Sequence, residues 1–533
     1  MRRAGLLLAL FVTLSVLHTW PLASDISGWS RLDNDDTGLN VFVVSWVAHI
    51  LPRDPLHLFD APIFYPEPLT LAYSEHMLVP SLMGAPLSWA GVDPVSVYNL
   101  LVLAGLSLSG WTMSLVVTAW TGSLLAGIVS GMLFAFNTHL LTRLPHLQAL
   151  HLEFLPVALY AFDQVLIRTR RLLPAALGLA AAFVLQALCS NYTLVFLSGA
   201  LVVAALARMP EWTSAAHRPR AVALIGAGTL AVGLLAPFLW PYYIVSRDQG
   251  LTRSIDEVRL YSAGWMDYLA TGGRLHYQAW SYRFFEDRTA LFPGFLGFGL
   301  AVVALLRRDL RQDPRTRMMA AIGLAGFALS FGPGLPGYGW LHAHVPLLEG
   351  VRAAARWGLL MLTAVAMLAG FTVAAWQRSR GASPYWPAIA LAILGVITIE
   401  ALRAPMAFTR APATPAIYTN VARDVGAVLV ELPLFAGVNV SENARYLVAS
   451  TRHFRPLVNG YSGFETDAYR SRAERWRAFP EASVLQEMRE LGVTHVMVHV
   501  RDLPAEQVAA AAIEPGLIAE ADDGERRLYR LRR

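Results

Sequence analysis

Three aspartates crowd together in Arg31-Leu32-Asp33-Asn34-Asp35-Asp36-Thr37. Like charges are rarely grouped without a ligand or a cation, and one carboxylate of such a set can accept a proton from an attacking group. The alternative is a helix cap followed by a solvated turn, since Asp is strongly favoured at caps. Arg352 and Arg356 stand four residues apart at the start of an apolar run. That spacing predicts one helix face, from which two guanidiniums can hold a phosphate through charge-assisted bonds. Snorkelling, or an ion pair with Glu349, is the other reading. His139, Arg143, His146, His151 and Glu153 collect between two apolar runs. Ionisable groups near membrane depth are costly, which makes them functional candidates. His146 with Asp33 or Asp35 can form a divalent metal site, or it can be a hydrogen-bonded structural histidine. Glu75 and His76 can assist proton transfer or merely cap the next helix. Arg259, in a loop with Asp256, Glu257, Tyr261, Trp265 and Asp267, can recognise an acceptor or be ordinary surface.

The elements that must position these groups are mainly membrane helices. The chain has 533 residues, 55% hydrophobic and only 15% charged, with a mean hydropathy of +0.44. Soluble domains carry roughly 25% charge, so the bilayer is the expected solvent. All 43 basic residues are arginine. The absence of lysine excludes a Walker phosphate loop and a Schiff-base lysine from this chain. A pI near 9.3 is compatible with nucleic acid, but the arginines fall in short clusters between apolar runs, as the positive-inside rule requires, and no nucleic-acid partner is expected. The lone Cys189 allows no intramolecular disulfide.

The apolar run 4–17 follows Met1-Arg2-Arg3 and lacks a good cleavage site, with Pro21 in Pro21-Leu22-Ala23, so an uncleaved first span is expected. Further runs at 94–119, 122–140, 147–167, 172–189, 192–207, 220–243, 291–306, 318–332, 353–375 and 385–402 bring the expected count to about eleven, each near the ~20 residues a spanning helix needs. The arginines then alternate correctly. Arg2 and Arg3; Arg168, Arg170 and Arg171; Arg208, Arg218 and Arg220; Arg307, Arg308, Arg311, Arg315 and Arg317; and Arg378 and Arg380 all fall on the cytoplasmic side. An odd count leaves the C-terminus outside. The division at Ser190-Asn191-Tyr192 is the weakest, because it can also be a break at membrane depth.

Two domains are expected: a transmembrane domain over 1–402, with outward loops 24–93 and 247–290, and an outward α/β domain over 403–533. In the latter, 426–432 and 493–500 read as strands, with helix-periodic residues 468–478 between them. Loop 24–93 is too long for a simple connection and too rich in aromatics and proline for disorder. Leu39, Phe42, Val43, Trp46, Val47 and Ile50 recur at helical spacing, which predicts an amphipathic helix on the membrane surface with Asp35 or Asp36 as its N-cap.

In this arrangement the chain resembles the GT-C superfamily of integral membrane glycosyltransferases, in particular a bacterial branch of it. The resemblance rests on one span followed by an outward loop with paired acids, on Phe64-Tyr65-Pro66 and Ser74-Glu75-His76, on the many spans, and on the outward tail. It implies a bacterial inner-membrane enzyme that takes sugar from a polyprenyl-phosphate-linked donor on the outer side and passes it, with inversion, to a glycan, lipid or protein acceptor. Asp36, with Asp35 beside it, then matches the loop acid that serves as base or metal ligand, and Asp33-Asn34-Asp35 offers a D-x-D spacing for a possible divalent metal. A transporter or flippase of lipid-linked sugars is the rival reading. It requires polar residues along several spans and often an inverted repeat, and neither is evident. A non-catalytic envelope assembly protein would leave the acidic loop without a role.

Overall fold

The computed structural model describes residues 2–167, 171–250, 253–285, 289–380 and 383–532. Arg168 and Arg170, two of the arginines used to orient the spans, lie outside the described residues. The chain divides into two compact units. One comprises 1–25, 100–237 and 252–407, and the other 26–99, 238–251 and 408–533. The expected boundary at 402/403 therefore separates the tail from less than it should. Loop 24–93 folds with the tail, because its backbone pairs with tail residues as described below.

The first unit is built of apolar helices, which satisfy their own backbone hydrogen bonds and can therefore lie in lipid. Among the described residues, six are long and apolar enough to cross a membrane: Pro94–Thr121, Leu124–Thr142, Leu147–Ile167, Leu172–Cys189, Ala215–Gln249 and Ala354–Arg380. Asn191–Ala207, Phe295–Leu306 and Trp386–Ala401 are apolar but shorter. Fewer helices reach spanning length than the about eleven expected from apolar run length. The other five expected runs form helices of 12 to 17 residues: Arg2–His18, Asn191–Ala207, Phe295–Leu306, Pro314–Ser330 and Trp386–Ala401. Residues 151–153 leave the helix, and Ser109 closes the gap by donating to Leu150 O and accepting from Leu152 N, both at 3.0 Å. Buried Gln186 completes it, accepting from Phe154 N and donating to His151 O and Thr193. At the centre of the unit, the Gly358–Arg380 helix is buried along nearly its whole length. Gly370 permits its closest approach, since an added Cβ there would fall 2.1 Å from the Ser130 hydroxyl.

The second unit combines the loop with a four-stranded sheet. The strand order is Leu429–Leu432, His495–His499, Arg526–Leu531, Leu517–Asp522. The first pair is parallel and the other two are antiparallel. The two strands read from sequence are present, and the charged stretch between them forms the Asp467–Arg475 helix. The loop helix Asp35–Ile50 packs on Leu78–Trp89 and on the tail helix Ala444–Ser450. Gly38 makes the second contact possible, with Ala444 Cβ only 3.1 Å from where its own Cβ would stand. Trp29–Ser30 pairs antiparallel with Thr409–Arg410. The expectation of an amphipathic surface helix is corrected here: residues 37–48 are all buried, including Asn40 and Ser45. Leu78–Trp89 on one side and the tail on the other enclose the helix, which leaves it no solvent face over these residues.

Candidate functional site

Asn34, in extended conformation, is the N-cap of the loop helix, and its side chain accepts the Asp36 N–H at 3.1 Å. Neither Asp35 nor Asp36 is the cap, as had been expected. Both occupy the first turn, where the helix dipole favours negative charge. Asn caps as well as Asp does, so the carboxylates are not needed for that role. Asp36 Oδ1 accepts the Tyr461 hydroxyl at 2.6 Å. Both residues are half-buried.

Tyr461 is held by a rigid tail segment. Asn459 bonds both the N–H and the C=O of Glu431, while its own carbonyl accepts Phe64 N–H at 3.1 Å. Tyr65 N donates to Leu457 O and Leu457 N to Pro62 O. Phe64 has a φ of 57°, an unfavourable left-handed conformation for an aromatic residue, and its ring lies against Gly460. The Phe64-Tyr65-Pro66 motif is thus the strand-like partner of the segment that carries Tyr461. Asp33 points elsewhere: it is exposed and pairs with Arg31 at 3.0 Å.

Glu75 and His76 are buried in the same unit. The Tyr242 hydroxyl oxygen lies 3.1 Å from His76 N and 2.9 Å from Nδ1, and the Phe238 ring stacks on the imidazole. Burial pushes the His76 pKa down to about 4, so the ring is neutral at physiological pH. A neutral imidazole can relay a proton but cannot serve as a standing cation.

In the first unit, Arg352 and Arg356 do not share a helix face. Arg352 lies in irregular chain and Arg356 in the 3-10 turn Ala354–Trp357 that precedes the Gly358–Arg380 helix. Each guanidinium instead lies over a tyrosine ring, Arg352 over Tyr261 at 4.9 Å and Arg356 over Tyr192 at 4.3 Å. The carboxylate beside Arg352 is Glu257, at 3.8 Å, and not Glu349. Arg356 makes no salt bridge among the described residues, and its buried Nε has no hydrogen-bond partner. Arg253 adds a third guanidinium within electrostatic reach of Arg352 and Tyr192. His139 stands within electrostatic reach of Arg143, Arg356 and His146. Arg253 and Arg352 share the Glu257 carboxylate, at 3.1 and 3.8 Å, whereas Arg356 rests on a ring face, which leaves its guanidinium N–H edge open to an anion.

The remaining candidates divide plainly. His151 is structural: its ring bridges Glu153 at 3.0 Å and Leu101 O at 3.2 Å. Arg259 forms an exposed pair with Asp256 at 2.6 Å. Of the metal candidates, Asp33 and Asp35 belong to the second unit and His146 to the first. Among the described residues no group of three or more His, Cys, Asp or Glu side chains is arranged to hold an ion, and Asp33 is engaged by Arg31.

Reading the sequence missed Tyr461, Tyr242, Tyr192 and Arg253, while Tyr261 was named in the loop with Arg259. Tyr461 lies in Asn459-Gly460-Tyr461-Ser462-Gly463, a turn-rich run whose composition signals a shaped loop. The others carry no local signal.

No family model matches the chain, and no curated protein matches it in sequence. The cryo-EM structure of the arabinofuranosyltransferase AftD from Mycobacteria shares its fold, with a TM-score of 0.66 at 14% identity. That match covers 100% of this chain and 40% of AftD, so the chain spans well under half of the other protein's length. ArnT from Cupriavidus metallidurans, in the apo state and bound to undecaprenyl phosphate, covers 93% and 98% of this chain and 93% and 97% of its own at 13% and 14% identity. Its TM-scores are only 0.39 and 0.40.

Proposed function

We propose that this chain is an integral membrane glycosyltransferase that moves a sugar from a polyprenyl-phosphate-linked donor to a glycan, lipid or protein acceptor on the extracytoplasmic face. The observation that carries the reading is Asp36, a half-buried carboxylate in the first turn of a buried helix, oriented by the Tyr461 hydroxyl at 2.6 Å. Inverting transfer needs one such base: the acceptor hydroxyl attacks the anomeric carbon, its proton passes to the carboxylate, and the lipid phosphate departs from the opposite face. The hydrogen bond from Tyr461 fixes the side-chain rotamer, which keeps the base in reach of the hydroxyl proton. Separately, Arg352 and Arg356 in the first unit offer a cationic site suited to the phosphate of such a donor. The shared fold with AftD, named as an arabinofuranosyltransferase, supports sugar transfer. No step is routed through a metal.

Transfer from a synthetic polyprenyl-phosphate sugar, followed by mass spectrometry of the product, tests this. Asp36→Asn is expected to lower the rate at least about 100-fold at unchanged protein abundance, the typical worth of a general base. Full activity in a double Asp35→Ala, Asp36→Ala variant would overturn the assignment. The orientation is tested separately. The native Cys189 is buried, so a cysteine placed at exposed Val438 should be labelled by an impermeant thiol reagent in intact cells, or in spheroplasts if an outer membrane is present. Protection from the reagent would place the tail in the cytoplasm.

A further inference from the structure

The tail holds a cavity of about 330 Å³ that shares no residue with the Asp36 cluster. This is at the lower end of the range for small-molecule sites, about 300–1,000 Å³. Its floor is built on a buried polar network. Glu431, fully buried, accepts the Tyr418 hydroxyl and lies 2.7 Å from His499 Nε2, with the Tyr418 contact also at 2.7 Å. Tyr418 and His499 line the cavity, and Glu431 stands behind them. Burying a carboxylate is costly unless its surroundings are arranged for it, and such an arrangement at a cavity marks a functional candidate. On the rim, Arg445 pairs with Asp502 at 2.7 Å, and Glu525 lies 3.2 Å from Arg501 and 3.4 Å from Arg526.

Each of the three lining guanidiniums thus already carries a carboxylate: Arg445 has Asp502, Arg501 has Glu525, and Arg526 has Asp523 and Glu525. A phosphate would have to displace a carboxylate already seated on its arginine. An apolar ligand would leave buried donors and acceptors unmatched, at a cost. A neutral ligand offering closely spaced donors and acceptors fits both requirements, because a paired guanidinium keeps spare N–H groups and a paired carboxylate keeps spare lone pairs. The remaining wall, with Pro412, Ala413 and Pro415, suits the C–H face of a ring. We propose that this cavity binds a neutral sugar residue, giving the tail a carbohydrate site of its own. The transferase reading enters only in naming the acceptor glycan as the source of that residue.

Saturation-transfer NMR on the full chain in phosphatidylcholine nanodiscs tests this, with methyl glycosides of arabinofuranose, mannose, galactose and glucose as probes. At least one is expected to bind, with affinity at least about fivefold weaker in Asp502→Asn and in Arg445→Gln, the effect of losing one hydrogen bond. Thermal melting confirms that each variant is folded. Asp502→Asn, on the half-exposed rim, is the milder change and decides the matter if Arg445→Gln is unstable. Three results would each overturn the site: no glycoside binds, binding is unchanged in the folded variants, or inorganic phosphate displaces the glycoside. The Asp36→Asn protein separates the two proposals. Retained glycoside binding with lost transfer supports both. Full transfer activity in that variant sinks the base assignment and leaves the cavity standing, whereas lost glycoside binding moves the signal to the acidic loop and sinks the cavity.

Discussion

Two pairs of arginines in the first unit meet opposite fates. Arg208 and Arg315 converge on Asp163, a fully buried carboxylate that also accepts the Trp120 indole N–H at 2.9 Å. Arg352 and Arg356 lie on the faces of Tyr261 and Tyr192, and Arg356 has no salt-bridge partner among the described residues. In the first pair the charge is cancelled where it stands, which locks three chain segments together. In the second, Arg352 has only the Glu257 carboxylate at 3.8 Å and Arg356 has none among the described residues, which leaves charge available to an outside anion. Partnership, more than burial or residue type, separates a structural charge from one that can bind.

The sharpest way to break this comparison is Asp163→Ala, which removes the shared buried carboxylate, leaving Arg208 only Glu211 and Arg315 only the Trp120 ring face and carbonyl among the described residues. It should destabilise the protein by about 3–5 kcal/mol, read as a large drop in Tm or in folded yield. A variant with wild-type stability would show that the pair is not structural. Next comes the third way of handling charge, a buried group kept neutral. His76 and His453 both have folded pKa values near 4, below the ordinary 6.5, because of burial. As pH falls the unfolded chain takes up protons first, so their contribution is complete above about 6.5 and is lost between there and about 4. For His76 the full loss is about 3 kcal/mol. Melting measured from pH 7 to 4.5 should fall less steeply in His76→Gln, and parallel curves would remove His76 from the account.

A smaller effect is expected where the charge is uncancelled. Arg352→Gln with Arg356→Gln should weaken binding of a polyprenyl-phosphate donor by about tenfold or more while melting changes little. Unchanged affinity, or a fall in stability matching Asp163→Ala, would collapse the distinction between the two pairs. Arg259→Gln is the floor of the series. Its exposed pair with Asp256 is worth little, so both stability and transfer should stay within error.

Much of the helical content was legible because apolar run length and helix length follow from the same requirement for internal backbone hydrogen bonding in lipid. The helix at 35–50, the helices either side of Ser190 and the two tail strands all follow from period and breakers. The hairpin of Leu517–Asp522 and Arg526–Leu531 was overlooked although Asp523-Gly524 marks its turn. The spanning count was less legible, since hydropathy finds an apolar run without fixing where its helix ends: the runs at 4–17, 192–207, 291–306, 318–332 and 385–402 form helices of 17 residues or fewer.

By itself, the sequence determined the solvent, the apolar segments and the acidic loop, all of which depend on local composition and periodicity. It also placed Asp36 near a helix start, because capping is a local effect. Only the tertiary structure decided that Asn34 is the cap, that the loop helix is buried and not amphipathic, and that the tail lends Tyr461 to Asp36 from 425 residues away. It likewise decided which arginines are cancelled. A hydrogen bond or an ion pair depends on a partner's position in space, and partners this far apart in the chain leave no periodic trace in it.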